Sequence, residues 1–178
     1  MTKAKEKVYI GIILVLIAAS AQSYYSFAYA PTQQIEVYYN QEHALNEKLI
    51  NTIRDADKFV YFAVYTFTRY DLKDALLAAK YRGLEVKGIM DKKQNRDVEL
   101  QREIFNELKN AGVEIYEQDH ASIMHLKVLV TEKAYASGSF NWTSAATNLN
   151  DEVLEIGRDQ NIRQQYQNIL EKMFEKYK

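Results

Sequence analysis

The sequence predicts an α/β fold: a mixed central β-sheet with helices on both faces. Three observations carry this. Short β-branched and aromatic runs alternate with stretches whose apolar residues recur at helical spacing. The run Phe59 to Phe67 is apolar almost throughout, the pattern of a strand covered on both sides. The segment from His125 to Ser137 reads as a hairpin, which adds antiparallel strands to the sheet. With 178 residues, 47% hydrophobic and 26% charged, the chain is long enough for one domain with a core of its own. Its net charge of −1 means that affinity for a polyanion must come from a local patch. It has no cysteine, which excludes disulfides, thiolate catalysis and thiolate zinc sites.

Taken in order, Lys3, Lys5 and Lys7 precede an apolar run from Val8 to Ala21 that ends in Ala19-Ser20-Ala21. This reads as a signal peptide, since a spanning helix needs about 20 apolar residues. Tyr24 to Ala30 continues fairly apolar, so residues 1–30 read either as a cleaved leader or as a membrane anchor. A second small-x-small site, Ala28-Tyr29-Ala30, is followed directly by Pro31. Both readings place the protein outside the cytoplasm, in the periplasm or cell envelope. Pro31 to Gln34 would link to a folded domain over residues 31–178.

Ile35 to Tyr39 is the first expected strand. Glu42 to Asp57 is a helix with Leu45, Leu49, Ile50 and Ile53 on one face. After the Phe59 strand, Asp71 is expected to cap a helix that ends near Gly83. Leu84 to Met90 is a strand and Val98 to Lys109 a helix stopped near Gly112. Val113 to Tyr116 is a short strand. After the hairpin come a short helix at Thr143 to Thr147, a strand at Glu152 to Ile156 and an amphipathic helix from Asn161 to Tyr177.

The hairpin and the residues just beyond it carry the chemistry. His125 and Lys127 are two apart and lead into Val128-Leu129-Val130, so one strand face would present both. An imidazole and an ammonium on one face make sense together around an anion. Glu132-Lys133 reads as a tight connection without the Gly or Asn such turns prefer. The return strand ends at Gly138-Ser139, where Gly lets a backbone approach closely, and Ser139 and Asn141 both offer donors. This set can hold a phosphate and attack it with nitrogen.

HxK, an acidic residue after four more positions and then GSxN resemble the signature of the phospholipase D superfamily, and in particular its single-motif bacterial endonucleases. Tyr65-Thr66-Phe67-Thr68, the Leu76 to Gly88 run and Ile89-Met90-Asp91 extend the resemblance to roughly residues 35–175. It implies that His125 is the nucleophile and that Lys127, Ser139 and Asn141 form the phosphate pocket. Glu152, in Asn150-Asp151-Glu152, matches an acidic residue that supports the histidine, a part Asp151 could also take. Two departures stand out. The motif's Asp is Glu132 here, and five residues rather than six separate it from Gly138. With the deletion in the turn, both strand faces keep their register.

The resemblance also implies two histidines facing each other across a two-fold axis. HxK occurs once in this chain, so a homodimer must supply the second. One imidazole would attack phosphorus and form a phosphohistidine; the other would protonate the leaving oxygen and later activate water. No HExxH, carboxylate-rich loop or P-loop appears, and neither a metal nor a cofactor is expected. His120 and Asp119 read as a polar loop, and His43 as a solvent-facing residue.

Lys92, Lys93 and Arg96 follow the strand end at Asp91, where α/β folds place ligands. They read either as guides for a nucleic-acid backbone or as a solvated basic loop. Trp142 reads either as a base-stacking platform or as a packing residue. The function expected is a metal-independent endonuclease acting on DNA or RNA. Its rivals are a lipid phosphodiesterase held at a membrane and a non-catalytic nucleic-acid binder.

Overall fold

The computed structural model describes residues 12–13, 15–22 and 35–178. The chain divides into two units, Met1–Gln34 and Ile35–Lys178. In the first, residues 12–13 and 15–22 are helical with exposed side chains, Ile12, Ile13, Val15, Leu16 and Ile17 among them. Among the described residues no helix is long and apolar enough to cross a membrane. The lysine-rich start, the Ala28-Tyr29-Ala30 site and the Pro31 linker lie outside the described residues.

The second unit is built on one seven-stranded sheet. Its elements are β1 (Ile35–Tyr39), α1 (Leu45–Arg54), β2 (Phe59–Val64), α2 (Tyr70–Tyr81), β3 (Glu85–Asp91), α3 (Lys92–Asp97) and α4 (Glu99–Asn110). There follow β4 (Glu114–Gln118), β5 (Lys127–Thr131), β6 (Tyr135–Gly138), α5 (Ser144–Asn148), β7 (Val153–Gly157) and α6 (Gln160–Tyr177). The strand order is β1-β7-β6-β5-β2-β3-β4. β2, β3 and β4 run parallel, and every other pairing is antiparallel, so the sheet is mixed as expected.

Both faces of the sheet are covered over its central strands. Phe62, Met90 and Leu129 belong to the larger core with Leu45, Leu49 and Ile53 of α1, Leu72 and Leu76 of α2, and Ile104 and Leu108 of α4. Tyr61, Ala63, Ile89 and Val130 meet Leu170 and Phe174 of α6 on the opposite face. Alternate side chains of β2 therefore enter different cores, which is why that strand reads as unbroken apolar sequence.

Three local expectations are corrected. Asp71 does not cap its helix: Arg69 is the N-cap residue, and the Asp71 carboxylate sits in the first turn. There it accepts from Arg69 Nε and Asn46 Nδ2, each at 2.8 Å. The strand expected to reach Phe67 ends at Val64, because the chain departs to meet two loops. Tyr65 N–H donates to Leu126 O at 2.9 Å, and Thr68 N–H to Trp142 O at 2.8 Å. Lys92 to Asp97, expected as a loop, is helical, and the Asp91 carboxylate caps it by accepting the Gln94 N–H at 2.8 Å.

The two-residue hairpin turn stands where expected. Thr131 N–H donates to Ala134 O at 2.8 Å across Glu132-Lys133. The Thr131 hydroxyl accepts from Lys133 N at 3.1 Å and Ala134 N at 3.0 Å. Those bonds hold the turn without a left-handed residue, which explains the missing Gly or Asn. The strands then pair Val128 with Ser137 and Leu129 with Ala136.

Candidate active site

One edge of the sheet gathers the chemistry-bearing residues. β2, β3, β4, β6 and β1 end there; β5 and β7 begin there. His125 lies two residues before β5, outside the strand and exposed. Its ring packs on Tyr65, with centroids 4.7 Å apart and planes tilted by 57°. Tyr65 is held through its backbone by Leu126 and through its hydroxyl by Gln94 Nε2, which donates at 3.1 Å.

Lys127 opens β5 and is 7% exposed. Its ammonium donates to the His125 carbonyl oxygen at 3.0 Å and lies 5.2 Å from the centre of the Tyr65 ring. Burial pulls its pKa below the usual lysine range, and the nearby Glu152 charge opposes that pull.

Glu152 is also 7% exposed. Its carboxylate accepts from the Ser139 hydroxyl and, at 3.0 Å, from Asn150 Nδ2. Ser139 Oγ in turn accepts the Val153 N–H at 3.1 Å. The position of Glu152 is set by Asn40, whose Oδ1 accepts the Glu152 N–H at 3.0 Å and whose Nδ2 donates to Asn150 O at 2.6 Å. Asn141 completes the cluster. Its Oδ1 accepts the Thr66 N–H at 3.3 Å, so the amide nitrogen, the donor end, is uncommitted among the described residues.

The structure thus brings Lys127, Ser139 and Glu152 into one group and ties His125 and Asn141 to the adjoining Tyr65-Thr66 segment. Glu152 is committed to Ser139 and Asn150. Among the described residues of one chain, nothing hydrogen-bonds the His125 imidazole. Asp151, the other candidate carboxylate, is exposed and accepts from the Tyr39 hydroxyl.

Glu132 stands at the far end of β5. Its carboxylate accepts the backbone N–H groups of Asp57 at 2.8 Å and Lys58 at 3.2 Å. Burial works against its ionisation, but these bonds outweigh it and lower the pKa below the usual carboxylate range. The acidic member of the motif is therefore a structural clamp.

Trp142 is 1% exposed and packs against Phe62 and Phe67, at 5.4 and 4.8 Å between centroids. That makes it a core residue with no face left to stack a base. Lys92, Lys93 and Arg96 are exposed on α3 and line a cleft of about 650 Å³. Arg96 also pairs with Asp97 at 2.7 Å. Among the described residues no three His, Asp or Glu side chains are grouped to hold a metal ion.

Two residues that position the site escaped sequence reasoning, Gln94 and Asn40; Tyr65 and Asn150 stood within the motif segments but without the positioning role they take here. The signal available was weak: Asn40 is a lone polar residue just after β1, and Gln94 is one of several polar residues in α3.

Comparison with known proteins gives the family and the fold. The family described as "Cardiolipin synthase, PLD-like domain" matches residues 49–174. A mitochondrial cardiolipin hydrolase of Chlamydomonas reinhardtii is 24% identical over 132 residues, covering 74% of this chain and 58% of that protein. One from Xenopus tropicalis is 29% identical over 131 residues, covering 73% and 61%. The chain thus spans about three-fifths of the length of these two relatives. Among solved structures, the phospholipase D family member Nuc from Salmonella typhimurium superposes with a TM-score of 0.76 at 24% identity. The match covers 82% of this chain and 96% of Nuc. NucT from Helicobacter pylori gives 0.70 at 25% identity, covering 80% and 97%. The match over residues 49–174 takes in more than half of the sequence, and on that ground the chain belongs to the phospholipase D-like domain family.

Proposed function

We propose that the protein is a metal-independent phosphodiesterase that cuts nucleic acid as an endonuclease, with a site completed by a second copy of the chain. One observation carries the reading: an exposed imidazole, a buried ammonium and an uncommitted amide donor share one sheet edge. A nitrogen of His125 attacks phosphorus, and a P–N bond forms as the P–O bond to the leaving alcohol breaks. The second copy's imidazole, protonated, gives its proton to that leaving oxygen. It then takes a proton from water, which attacks the phosphohistidine and frees His125. Lys127 and Asn141 donate to the non-bridging oxygens, where charge grows in the transition state. Glu152 holds Ser139 in place and supplies negative charge beside Lys127.

The fold shared with Nuc and NucT and the basic rim on α3 support nucleic acid as substrate. The cardiolipin hydrolase relatives favour a second reading, a lipid phosphodiesterase. The exposed apolar residues among 12–17 suit either a leader or an anchor, and so export to the cell envelope.

Incubation with plasmid DNA, single-stranded DNA, RNA and cardiolipin vesicles, all in EDTA, tests the proposal. Cleavage of nucleic acid is expected. Cleavage of cardiolipin alone would favour the lipid reading, and loss of every activity in EDTA would refute both.

A further inference from the structure

His125 stands in the segment 119–126 between β4 and β5, which holds neither strand nor helix. No strand ladder fixes it there, and the Glu152 carboxylate is committed to Ser139 and Asn150. An attacking nitrogen still has to be held in place. Two tethers of this segment lead to one group, the carboxylate of Asp91 at the end of β3, which is 0% exposed. Asp91 Oδ2 accepts the N–H of Met124, the residue before His125, at 2.8 Å. It also accepts from Gln118 Nε2 at 2.9 Å, and that nitrogen donates in turn to Ser122 O at 3.1 Å.

The other carboxylate oxygen reaches the imidazole by a second route. Asp91 Oδ1 caps α3 through the Gln94 N–H. Gln94, so fixed, donates to the Tyr65 hydroxyl at 3.1 Å and accepts from the Thr66 hydroxyl at 3.2 Å. The Tyr65 ring packs on His125, and the Thr66 N–H holds Asn141 Oδ1. A helix cap would account for one oxygen of Asp91 and would work as well at the surface. Burying a carboxylate is costly, and the three partners that offset the cost are all uncharged. Both oxygens are spent on groups that adjoin the reacting edge.

We propose that Asp91 is the positioning residue of the nucleophile. One oxygen grips the backbone beside His125, and the other fixes the wall against which its ring lies. The proposal rests on the reading of His125 as nucleophile and deepens it. Asp91→Asn keeps the shape and spoils the grip. An amide has one acceptor oxygen, so its nitrogen must face an N–H whichever way it turns. Either α3 loses its cap or the Met124 tether breaks.

The test sets Asp91→Asn beside Glu132→Gln, a second carboxylate bound to backbone N–H groups but at the far end of β5. Hydrolysis of bis(p-nitrophenyl) phosphate and of plasmid DNA is followed in EDTA with the full-length proteins, and folding by circular dichroism. Asp91→Asn should lower kcat about a hundredfold with KM within about twofold, the cost of a reacting group about 1 Å out of place. Glu132→Gln should keep kcat. The imidazole C–H resonances of His125, identified by their loss in His125→Ala, should move in Asp91→Asn as the Tyr65 ring shifts, and stay in Glu132→Gln. Wild-type kcat or wild-type resonances in folded Asp91→Asn, or a loss carried by KM, would overturn the positioning role while the phosphodiesterase reading stands. A wild-type protein that hydrolyses neither substrate would overturn both. Should Asp91→Asn fail to fold, Gln94→Leu cuts the second route alone. It should lower kcat about tenfold, the worth of one good hydrogen bond, and move the same resonances. Wild-type values of either in Gln94→Leu would overturn the proposal.

Discussion

Lys127 must be charged to hold a phosphate, yet its burial disfavours the charge. The two demands separate in their pH dependence. Its lowered pKa means that the unfolded chain binds more protons between the folded value and the ordinary lysine value of about 10.4. Stability from this group therefore rises with pH across that window, while activity falls as the ammonium deprotonates. A rate profile with an alkaline limb below the ordinary lysine range, recorded beside an unchanged or rising melting temperature, is the expected result. A limb that tracks unfolding would refute the assignment. Glu152 opposes the shift, so Glu152→Gln should move the limb to lower pH still. His125→Ala should cost at least about a thousandfold in turnover and leave binding intact, as expected for removal of a nucleophile. Unchanged turnover would remove His125 from the mechanism. His125, Lys127, Ser139 and Asn141 could be nominated from the sequence because reactive side chains at short spacing declare themselves locally; Glu152 came only from the resemblance, and its bonds go to Ser139 and Asn150 rather than to His125. Asn40 could not be, since its bond to Asn150 spans 110 positions. Trp142 was ambiguous because its type suits a platform and a core equally, and only packing decides between them.

At the scale of elements, the hairpin decides whether the site exists. Most strands and helices were legible from periodicity, because each buries a face and the sequence must mark it. The α3 helix was not, since six residues are too few to show a period and its stability comes from the Asp91 cap. The purpose of Glu132 was equally hidden, because its partners are backbone N–H groups with no side-chain signature. Its lowered pKa gives a stabilising contribution that is present above the unfolded Glu pKa and lost as pH falls through the folded value. Glu132→Gln should therefore cost about 1–3 kcal/mol near neutral pH and much less in acid, with kcat nearly unchanged. Urea titrations at both pH values check this, and an equal loss at each would contradict it. At the other end of the hairpin, Gly138 has φ 155°, and a Cβ there would lie 2.1 Å from Val153 O. Gly138→Ala must push β6 from β7 just where Ser139 meets Glu152. Loss of cleavage with only a modest drop in melting temperature is expected; full activity would show that the two strands yield without cost.

The whole molecule raises the question of how one HxK supplies both a nucleophile and a general acid. The answer proposed is a two-fold dimer, and the outer face of the sheet offers a surface for it. Ile35 and Val37 of β1 and Val153 of β7 are 44%, 62% and 39% exposed. Tyr39 pairs in register with Val153, and Val37 with Glu155, so these residues share one face, and Val153 adjoins Glu152. An edge strand with an apolar outer face stays single only if something covers it. Val37→Lys should therefore give a folded monomer, by sedimentation or light scattering, that no longer cleaves. A subunit-mixing experiment decides whether the imidazoles are shared. Wild-type and His125→Ala chains, mixed equally and left to exchange, form wild-type homodimers in about one quarter of the population, as random pairing requires. If each site needs both histidines, total activity settles near that quarter. If each chain works by itself, it settles near one half, and the shared site must be given up even if the protein is dimeric.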